Sequence, residues 1–345
     1  MNSNNYNFTK IPFNNIVSFG QRTLLYKDLF NISWLLGRFC NYRCSYCWPY
    51  ARSNAKDHRP TELCLRTIDE IKRQARANGF NSFHFSFSGG EPTFHPGYLD
   101  ILKYLAEDIA NTNYTSIHMT SNCSRNMSWF EQYAEYAKLF HRVSITASLH
   151  TEHINTLEKM QDFANKLIFC QKHNIQVTIN IVMVPEWFEK NWEDALFFYN
   201  QGINVTLKPQ SDPTATKIVD GYTEDMLKRL YNGMPQRYSE LTCYNNITLP
   251  DMQVELTDSS GKKWYIDQAE RLNSFAFNSF KGWKCNAGYQ GIIIREPDGD
   301  IRRGYSCHDS SLGNIKTGFE LFDKPTTCIT QTCVSSADSK LPKLK

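Results

Sequence analysis

From about residue 33 onward, short runs of apolar and β-branched residues alternate with longer stretches whose apolar positions recur at helical spacing. That alternation predicts repeated strand–helix units and a parallel sheet. Six runs read as strands, at 33–39, 81–88, 115–121, 142–149, 176–184 and 204–209. Between the first two, TELCLRTIDEIKRQARANG sets Leu63, Ile68, Ile71 and Ala75 on one helix face, with Thr61 as its cap and Gly79 as its stop. Further helices are expected to begin near Tyr98, Ser128, His153 and Trp192. The fold class is therefore α/β, a parallel sheet or barrel over 33–210, and in a barrel the loops that follow the strands converge on one mouth.

Past Pro209 the regularity breaks. SDPTATKIVDGY is turn-rich, TEDMLKRLYNG reads as one more helix, and VELTDSSGKKWYID reads as a hairpin around Ser259-Ser260-Gly261. A second hairpin is expected in GIIIREPDGDIRRG about Asp298-Gly299. These shifts divide the chain into an N-terminal extension (1–32), the barrel (33–210), a linker and bridging region (211–284), a small hairpin-containing C-terminal domain (285–335) and a polar tail (336–345) expected to be solvated. No internal repeat is found.

Composition narrows the function classes. Hydrophobic residues at 41% and charged residues at 21%, with 17 Gly and 13 Pro in 345 residues, exclude a disordered or collagen-like chain. The 38 basic and 35 acidic residues nearly cancel, and no basic block is present to bind a nucleic-acid backbone. No apolar stretch reaches the roughly 18 residues of a membrane span, and the first thirty residues lack the features of a secretory signal. The expected location is cytoplasmic. Eleven cysteines then stand out, because a reducing compartment does not hold them as disulfides and an odd number cannot pair fully.

Cys40, Cys44 and Cys47 fall within eight residues on the loop after the first expected strand. Thiolates are soft donors that suit zinc or iron–sulfur clusters, and three of them leave one coordination position open. A closed zinc site needs a fourth ligand; Trp48, Pro49 and Tyr50 supply none, and His58 is the nearest that could. Spacing alone leaves both metals open. Directly after the second expected strand stands Gly89-Gly90-Glu91-Pro92.

Together these two elements resemble the radical S-adenosylmethionine (radical SAM) superfamily. The three-cysteine loop matches in spacing, with an aromatic residue, Tyr46, before its last cysteine, and the glycine-glycine-glutamate-proline motif matches in full; the resemblance covers 33–210. It implies a partial (βα)6 TIM-type barrel, in which Cys40, Cys44 and Cys47 hold a 4Fe–4S cluster whose fourth iron chelates the amino and carboxylate groups of S-adenosylmethionine. Gly89 and Gly90 would let backbone carbonyls approach the cofactor's ammonium group, with Glu91 adding a charge-assisted contact or anchoring the loop, and Pro92 closing the motif. Thr120-Ser121-Asn122 is similar to a threonine-asparagine-glycine element of the family, with Ser121 inserted and Cys123 in place of glycine. Ser148-Leu149-His150 ends strand four where relatives approach the cofactor ribose, and Asn180 and Lys208 point by period toward the same mouth. Tyr46, Gly89, Gly90, Glu91, Pro92, Asn122, Ser148, His150 and Asn180 are thus the candidate cofactor-binding residues.

Cys285, Cys307, Cys328 and Cys333 resemble the auxiliary-cluster extension of the superfamily, called twitch in its short form and SPASM in its long one. The likeness rests on Trp283-Lys284-Cys285, Gly299, Cys307 and Leu312-Gly313-Asn314-Ile315, with a longer spacing from Gly299 to Cys307 than relatives show. It implies one additional iron–sulfur cluster, fully held by four thiolates and suited to electron transfer or bracing; by spacing alone a zinc ribbon is the alternative. Cys64 and Cys170 read as small buried residues within helices. Cys123 or Cys243 is a candidate hydrogen-atom donor facing the cavity. Arg302 and Arg303 read either as an anion contact or as a solvated hairpin edge.

The resemblance further implies an oxidoreductase- or isomerase-type enzyme: an external donor such as flavodoxin or ferredoxin reduces the cluster, S-adenosylmethionine is cleaved, and a 5'-deoxyadenosyl radical takes hydrogen from a substrate carbon. Thirty-nine residues precede Cys40, fewer than relatives with a leader-peptide recognition domain carry. The expected substrate is therefore a small molecule, such as a sugar, aminocyclitol or nucleotide-linked metabolite, undergoing oxidation, epimerisation or rearrangement. The alternatives are a maturase for a ribosomally made peptide and, outside enzymes, a zinc-stabilised binding scaffold.

Overall fold

The computed structural model describes residues 10–47, 58–213, 217–237, 253–266, 272, 277–295, 298–307, 310–333 and 335–345. Six parallel strands, β2 (Leu29–Leu35), β3 (Ser82–Ser88), β4 (Tyr114–Ser121), β5 (Arg142–Leu149), β6 (Gln176–Met183) and β7 (Asn204–Pro209), lie side by side in chain order. Each is followed by a helix: α2 (Thr61–Ala77), α3 (Tyr98–Glu107), α4 (Met127–Ala137), α5 (Leu157–Lys172), α6 (Phe188–Asn200) and α7 (Glu224–Asn232). This is the partial TIM-type barrel that the resemblance implies.

The period-2 pattern of the strands separates two faces. Ile32, Trp34, Phe83, Phe85, Phe87, Ile117, Met119, Ile145, Ile179 and Val205 are buried against Ile68, Ile71, Leu102, Leu105, Phe130 and Leu167 of the helices in one continuous core. The alternate positions face away from the helices, and there the chain places Ser33, His84, Ser86, His118, Thr120, Ser144, Thr146, Thr178 and Thr206, all half-buried. A packed barrel interior carries branched apolar residues. This one carries hydroxyls and imidazoles, linked in part by hydrogen bonds between His84 Nδ1 and Ser116 Oγ and between His118 Nδ1 and Ser144 Oγ, both 2.8 Å.

Several expected elements move. The first barrel strand is Leu29–Leu35 rather than 33–39, because Gly37 and Phe39 spend their carbonyls on the loop after β3 instead of on a ladder: Gly90 N donates to Gly37 O and Glu91 N to Phe39 O. Thr61 is the first helical residue of α2, behind Pro60, and caps nothing with its side chain. α5 starts later than expected, where Thr156 Oγ1 accepts from Lys159 N, and α6 starts earlier, at Phe188.

Both hairpins form. β11 (Gly291–Ile294) and β12 (Asp300–Arg302) turn about Asp298-Gly299, but β11 also pairs in parallel with β2. With β13 (Ser311–Asn314) and β14 (Gly318–Phe319) they prolong the barrel sheet to ten strands. The other hairpin, β8 (Val254–Asp258) and β9 (Lys263–Ile266), joins a second sheet, whose order is β15-β10-β16-β1-β8-β9. There β1 is Ile16–Gln21, β10 Lys284–Cys285, β15 Thr326–Thr327 and β16 Lys343–Leu344. The short α1 (Arg22–Tyr26) links β1 to β2.

The C-terminal residues are not a solvated tail. They form α8 (Ser336–Lys340) and β16, with Asp338, Ser339, Leu341 and Lys343 buried. The polarity that suggested a tail is satisfied internally. Lys343 Nζ donates to Asp338 O, Ser339 O and Leu341 O at 2.8, 3.1 and 2.9 Å. Leu341, 2% exposed, gives a direct check: Leu341→Ala is expected to cost about 2–5 kcal/mol of stability in urea unfolding, whereas a tail residue would stay within about 0.5 kcal/mol.

Candidate active site

The site is built where the loop after β2 meets the loop after β3. Gly90 N donates to Gly37 O at 2.8 Å and Glu91 N to Phe39 O at 2.7 Å, so the two motif loops are stitched backbone to backbone. A Cβ on Gly89 would lie 2.3 Å from Gly37 O, and one on Gly90 would lie 2.2 Å from Phe39 O. Gly89 also has φ +132, in the region that favours glycine. The glycine pair thus serves the approach of one loop to the other. That contact was not legible in the motif, which suggested an approach to the cofactor.

Glu91 is 2% exposed and anchors the junction. Its Oε1 accepts from Thr93 Oγ1 and Ser121 Oγ, both at 2.7 Å, and from Thr93 N at 3.2 Å, while its Oε2 accepts from Asn122 N at 2.6 Å. Burial pushes the Glu91 carboxyl pKa up, and these four donors act against that push. Pro92 opens the 3-10 turn Pro92–Phe94 whose cap is Glu91. Asn122 Nδ2 donates to Asn41 Oδ1 at 2.9 Å and lies 3.9 Å from Cys40 Sγ, to which Tyr42 N also donates at 3.4 Å. Of the two readings of Glu91, the geometry carries the anchor.

A third loop, after β5, clamps the cysteine loop from the other side. Tyr46 Oη meets His150 Nδ1 at 2.7 Å, Arg43 N donates to His153 Nε2 at 3.2 Å, and Ser45 N donates to Glu152 Oε2 at 2.9 Å. The Tyr42 ring stacks on His153 with centroids 4.1 Å apart. Burial holds His150 down to about 4, so near neutral pH the imidazole is uncharged and one ring nitrogen can accept. Sequence reasoning singled out His150 and missed Glu152 and His153; H-T-E-H directly after a strand was the available signal.

Cys44 is buried, and Cys40 and Cys47 are half-buried. Burial pushes the Cys44 thiol up to about 12 and raises Cys40 as well, so metal binding would have to displace their protons. Among the described residues, the set of three metal-ligating side chains with ligand atoms within 4.8 Å of one another is Cys44, Glu152 and His153; the three motif thiols are not gathered that tightly. Their soft donor chemistry and wider spread suit a multi-iron cluster better than one ion. His58, the possible fourth zinc ligand, packs edge-on to Phe39 and His95.

Ser148 and Asn180 are direct neighbours on β5 and β6, half-buried on the face away from the helices. Lys208 lies across from Val182, one step nearer the mouth. Cys123 is corrected: it is 1% exposed, with φ +53, within the apolar core that holds Tyr133 and Cys170. Its thiol therefore lies in the core rather than facing the mouth. Cys243 lies outside the described residues.

Cys285, Cys307, Cys328 and Cys333 are all buried. Cys285 and Cys307 both act electrostatically on Cys333. Thr330 Oγ1 donates to Cys307 Sγ at 3.6 Å, and Cys328 Sγ donates to Thr330 O at 3.9 Å. Among the described residues no three of these thiols have their sulfurs within 4.8 Å of one another, as is also the case for the three motif thiols. Burial pushes Cys307 up to about 11 and raises Cys333 too. Arg303 is neither an anion contact nor a solvated edge: it is 5% exposed, donates to Ala287 O and Thr327 O, both at 3.2 Å, and lies over Phe322. Arg302 pairs with Asp300.

The family model of the radical SAM superfamily matches residues 34–199, the stretch that runs from the end of β2 into α6 and holds both stitched motifs. The chain carries a radical SAM domain. Among solved structures it is similar to a histidine-tagged anSMEcpe with bound AdoMet, at 16% identity and TM-score 0.53, over 84% of this chain and 79% of that one. It is also similar to native anSMEcpe with bound AdoMet and Cp18Cys peptide, at 15% identity and TM-score 0.51, over 84% and 78%. At these identities the likeness is one of fold. No curated protein matches the chain. The radical SAM family implies a 4Fe–4S cluster and S-adenosylmethionine, which together supply one-electron hydrogen abstraction; the thiols of Cys40, Cys44 and Cys47 fit that cluster, and Asn122 Nδ2 and Tyr42 N are placed to donate toward its Cys40 sulfur.

Because the glycine contact admits no Cβ, Gly90→Ala is expected to lower iron bound per chain after anaerobic reconstitution at least threefold while far-UV circular dichroism stays near wild type. Glu91→Gln, which turns an acceptor toward four donors into a half-donor, should do the same; unchanged iron in both variants would contradict the stitched-loop account.

Proposed function

We propose that this protein is a radical SAM enzyme acting on a small polar molecule, such as a sugar, aminocyclitol or nucleotide-linked metabolite, by oxidation, epimerisation or rearrangement. The observation that carries the reading is the polar, half-buried face that runs from Ser148 and Asn180 at the mouth to His118 and His84 below. Hydroxyl and imidazole groups spaced along it can fix a hydroxyl-rich substrate by hydrogen bonds and so present one C–H to the radical. Tyr46, Gly89, Gly90, Glu91, Pro92, Asn122, Ser148, His150 and Asn180 are the residues we assign to cofactor binding, directly or by holding the loops.

Cys285, Cys307, Cys328 and Cys333 are read as ligands of one auxiliary iron–sulfur cluster serving electron transfer or bracing. A flavodoxin- or ferredoxin-type protein would supply electrons. Among the described residues no helix is long and apolar enough to cross a membrane, and all ten described cysteines are free thiols, which suits a reducing, cytoplasmic setting. A second reading, modification of a peptide, is favoured by the likeness to a neighbour whose structure includes a Cp18Cys peptide.

Anaerobically reconstituted protein, given dithionite and S-adenosylmethionine, is expected to release 5'-deoxyadenosine measurable by chromatography. Cys40→Ala, Cys44→Ala or Cys47→Ala should bring it to the no-enzyme level, and Cys285→Ala should spare some cofactor cleavage. Stimulation by polyols and sugar nucleotides but not by cysteine-containing peptides supports the first reading; the reverse supports the second. A colourless protein with zinc and no product would establish the scaffold instead.

A further inference from the structure

We infer that residues 335–345 form the closing wall of the four-thiol site, and that Lys343 is its built-in countercharge, a positioning residue that stabilises the reduced state of the metal centre held there. The inference rests on the reading of Cys285, Cys307, Cys328 and Cys333 as iron–sulfur ligands.

Register places the two groups together. In the antiparallel pair β10–β16, Lys343 stands directly opposite Cys285, and opposed residues project from the same face with Cβ atoms about 4.5–5.5 Å apart. On its other side Lys343 pairs with Phe19 of β1. The ammonium is sealed in: Lys343 is 2% exposed, and its Nζ lies 4.7 Å from the Phe280 ring centroid and 5.7 Å from that of Phe19.

The same segment touches the chain beside a second thiol. The Asp338 carboxylate accepts from Ser306 N, next to Cys307, at 2.8 Å, and a Cβ on Gly304 would come 2.8 Å from Asp338 Cγ. Asn286 N, next to Cys285, donates to Pro342 O at 3.0 Å. Asp338 brings its carboxyl group to the Cys307 side, and Arg303, buried and donating to Ala287 O and to Thr327 O next to Cys328, is a second buried cation at the site.

Burying an ammonium is costly even when its donors are satisfied. Capping the carbonyls at the end of α8 accounts for its three hydrogen bonds but not for a position opposite a cysteine, where an apolar side chain would fill the space at less cost. Four thiolates around a cubane leave a net negative centre, and each electron taken up adds one more negative charge. A fixed cation on the strand paired with the strand of Cys285 favours that uptake.

The test separates charge from capping. In full-length protein carrying Cys40→Ala, Cys44→Ala and Cys47→Ala, so that the C-terminal thiols are the remaining cluster ligands, iron and sulfide per chain are measured after reconstitution. The centre is then titrated with dithionite under electron paramagnetic resonance. Lys343→Met is expected to lower the reduced-to-oxidised ratio at the parent's midpoint at least tenfold, equivalent to about 59 mV for one electron, while Lys343→Arg keeps it within threefold. If Lys343→Met instead abolishes iron loading while Lys343→Arg retains it, the countercharge role also stands. Equal midpoints in the two variants, or equal loss of iron in both with native circular dichroism, would overturn the inference in favour of a packing role. A parent protein that binds zinc or no metal at these thiols would overturn the cluster reading beneath it, a different and recognisable result.

Discussion

One buried carboxylate ties the active end of the barrel together. Glu91 has almost no access to water and meets four donors from two elements: Thr93 within its own loop, and Ser121 and Asn122 at the end of β4. Its backbone N–H, with that of Gly90, holds the start of the cysteine loop. An acceptor stranded in the interior is expensive, so each loop is held in place by the need of the others. The three thiols inherit their geometry from this junction rather than from the strand that precedes them.

The barrel uses its two faces differently, and function follows from that division. Apolar positions go to the helices and make the core, while the face away from them keeps hydroxyls, imidazoles and Lys208 partly accessible. A face built this way gives up the packing of a filled barrel and keeps room for polar ligands. Radical chemistry demands that one C–H be held in place, and directional hydrogen bonds do this better than apolar contact.

Much of this was legible in the sequence, because it rests on local signals. Alternating strands such as RVSITASL at 142–149, the Cys40/Cys44/Cys47 spacing and Gly89-Gly90-Glu91-Pro92 each state their structure within a few residues. What escaped rests on long-range pairing. β1 finds its partners in β8 and β16, both from the far end of the chain, and β11 joins β2 in parallel; no local pattern announces either. Lys343 looked solvated because its stabilising partners are backbone carbonyls, which composition does not reveal. Glu152 and His153 were missed for a related reason: their partners are amides of the cysteine loop. Cys123 misled because its position after β4 suggested the mouth, while its left-handed backbone turns the thiol into the core.

The central claim is that Cys40, Cys44 and Cys47 hold a cluster with one iron open to a ligand. Electron paramagnetic resonance of anaerobically reduced protein carrying Cys285→Ala, Cys307→Ala, Cys328→Ala and Cys333→Ala, recorded before and after S-adenosylmethionine is added, addresses it most directly. The account predicts a 4Fe–4S signal whose g-values shift on addition and which is absent when Cys44 is also replaced by Ala. A signal that ignores the added cofactor, or that survives the loss of Cys44 unchanged, would contradict it.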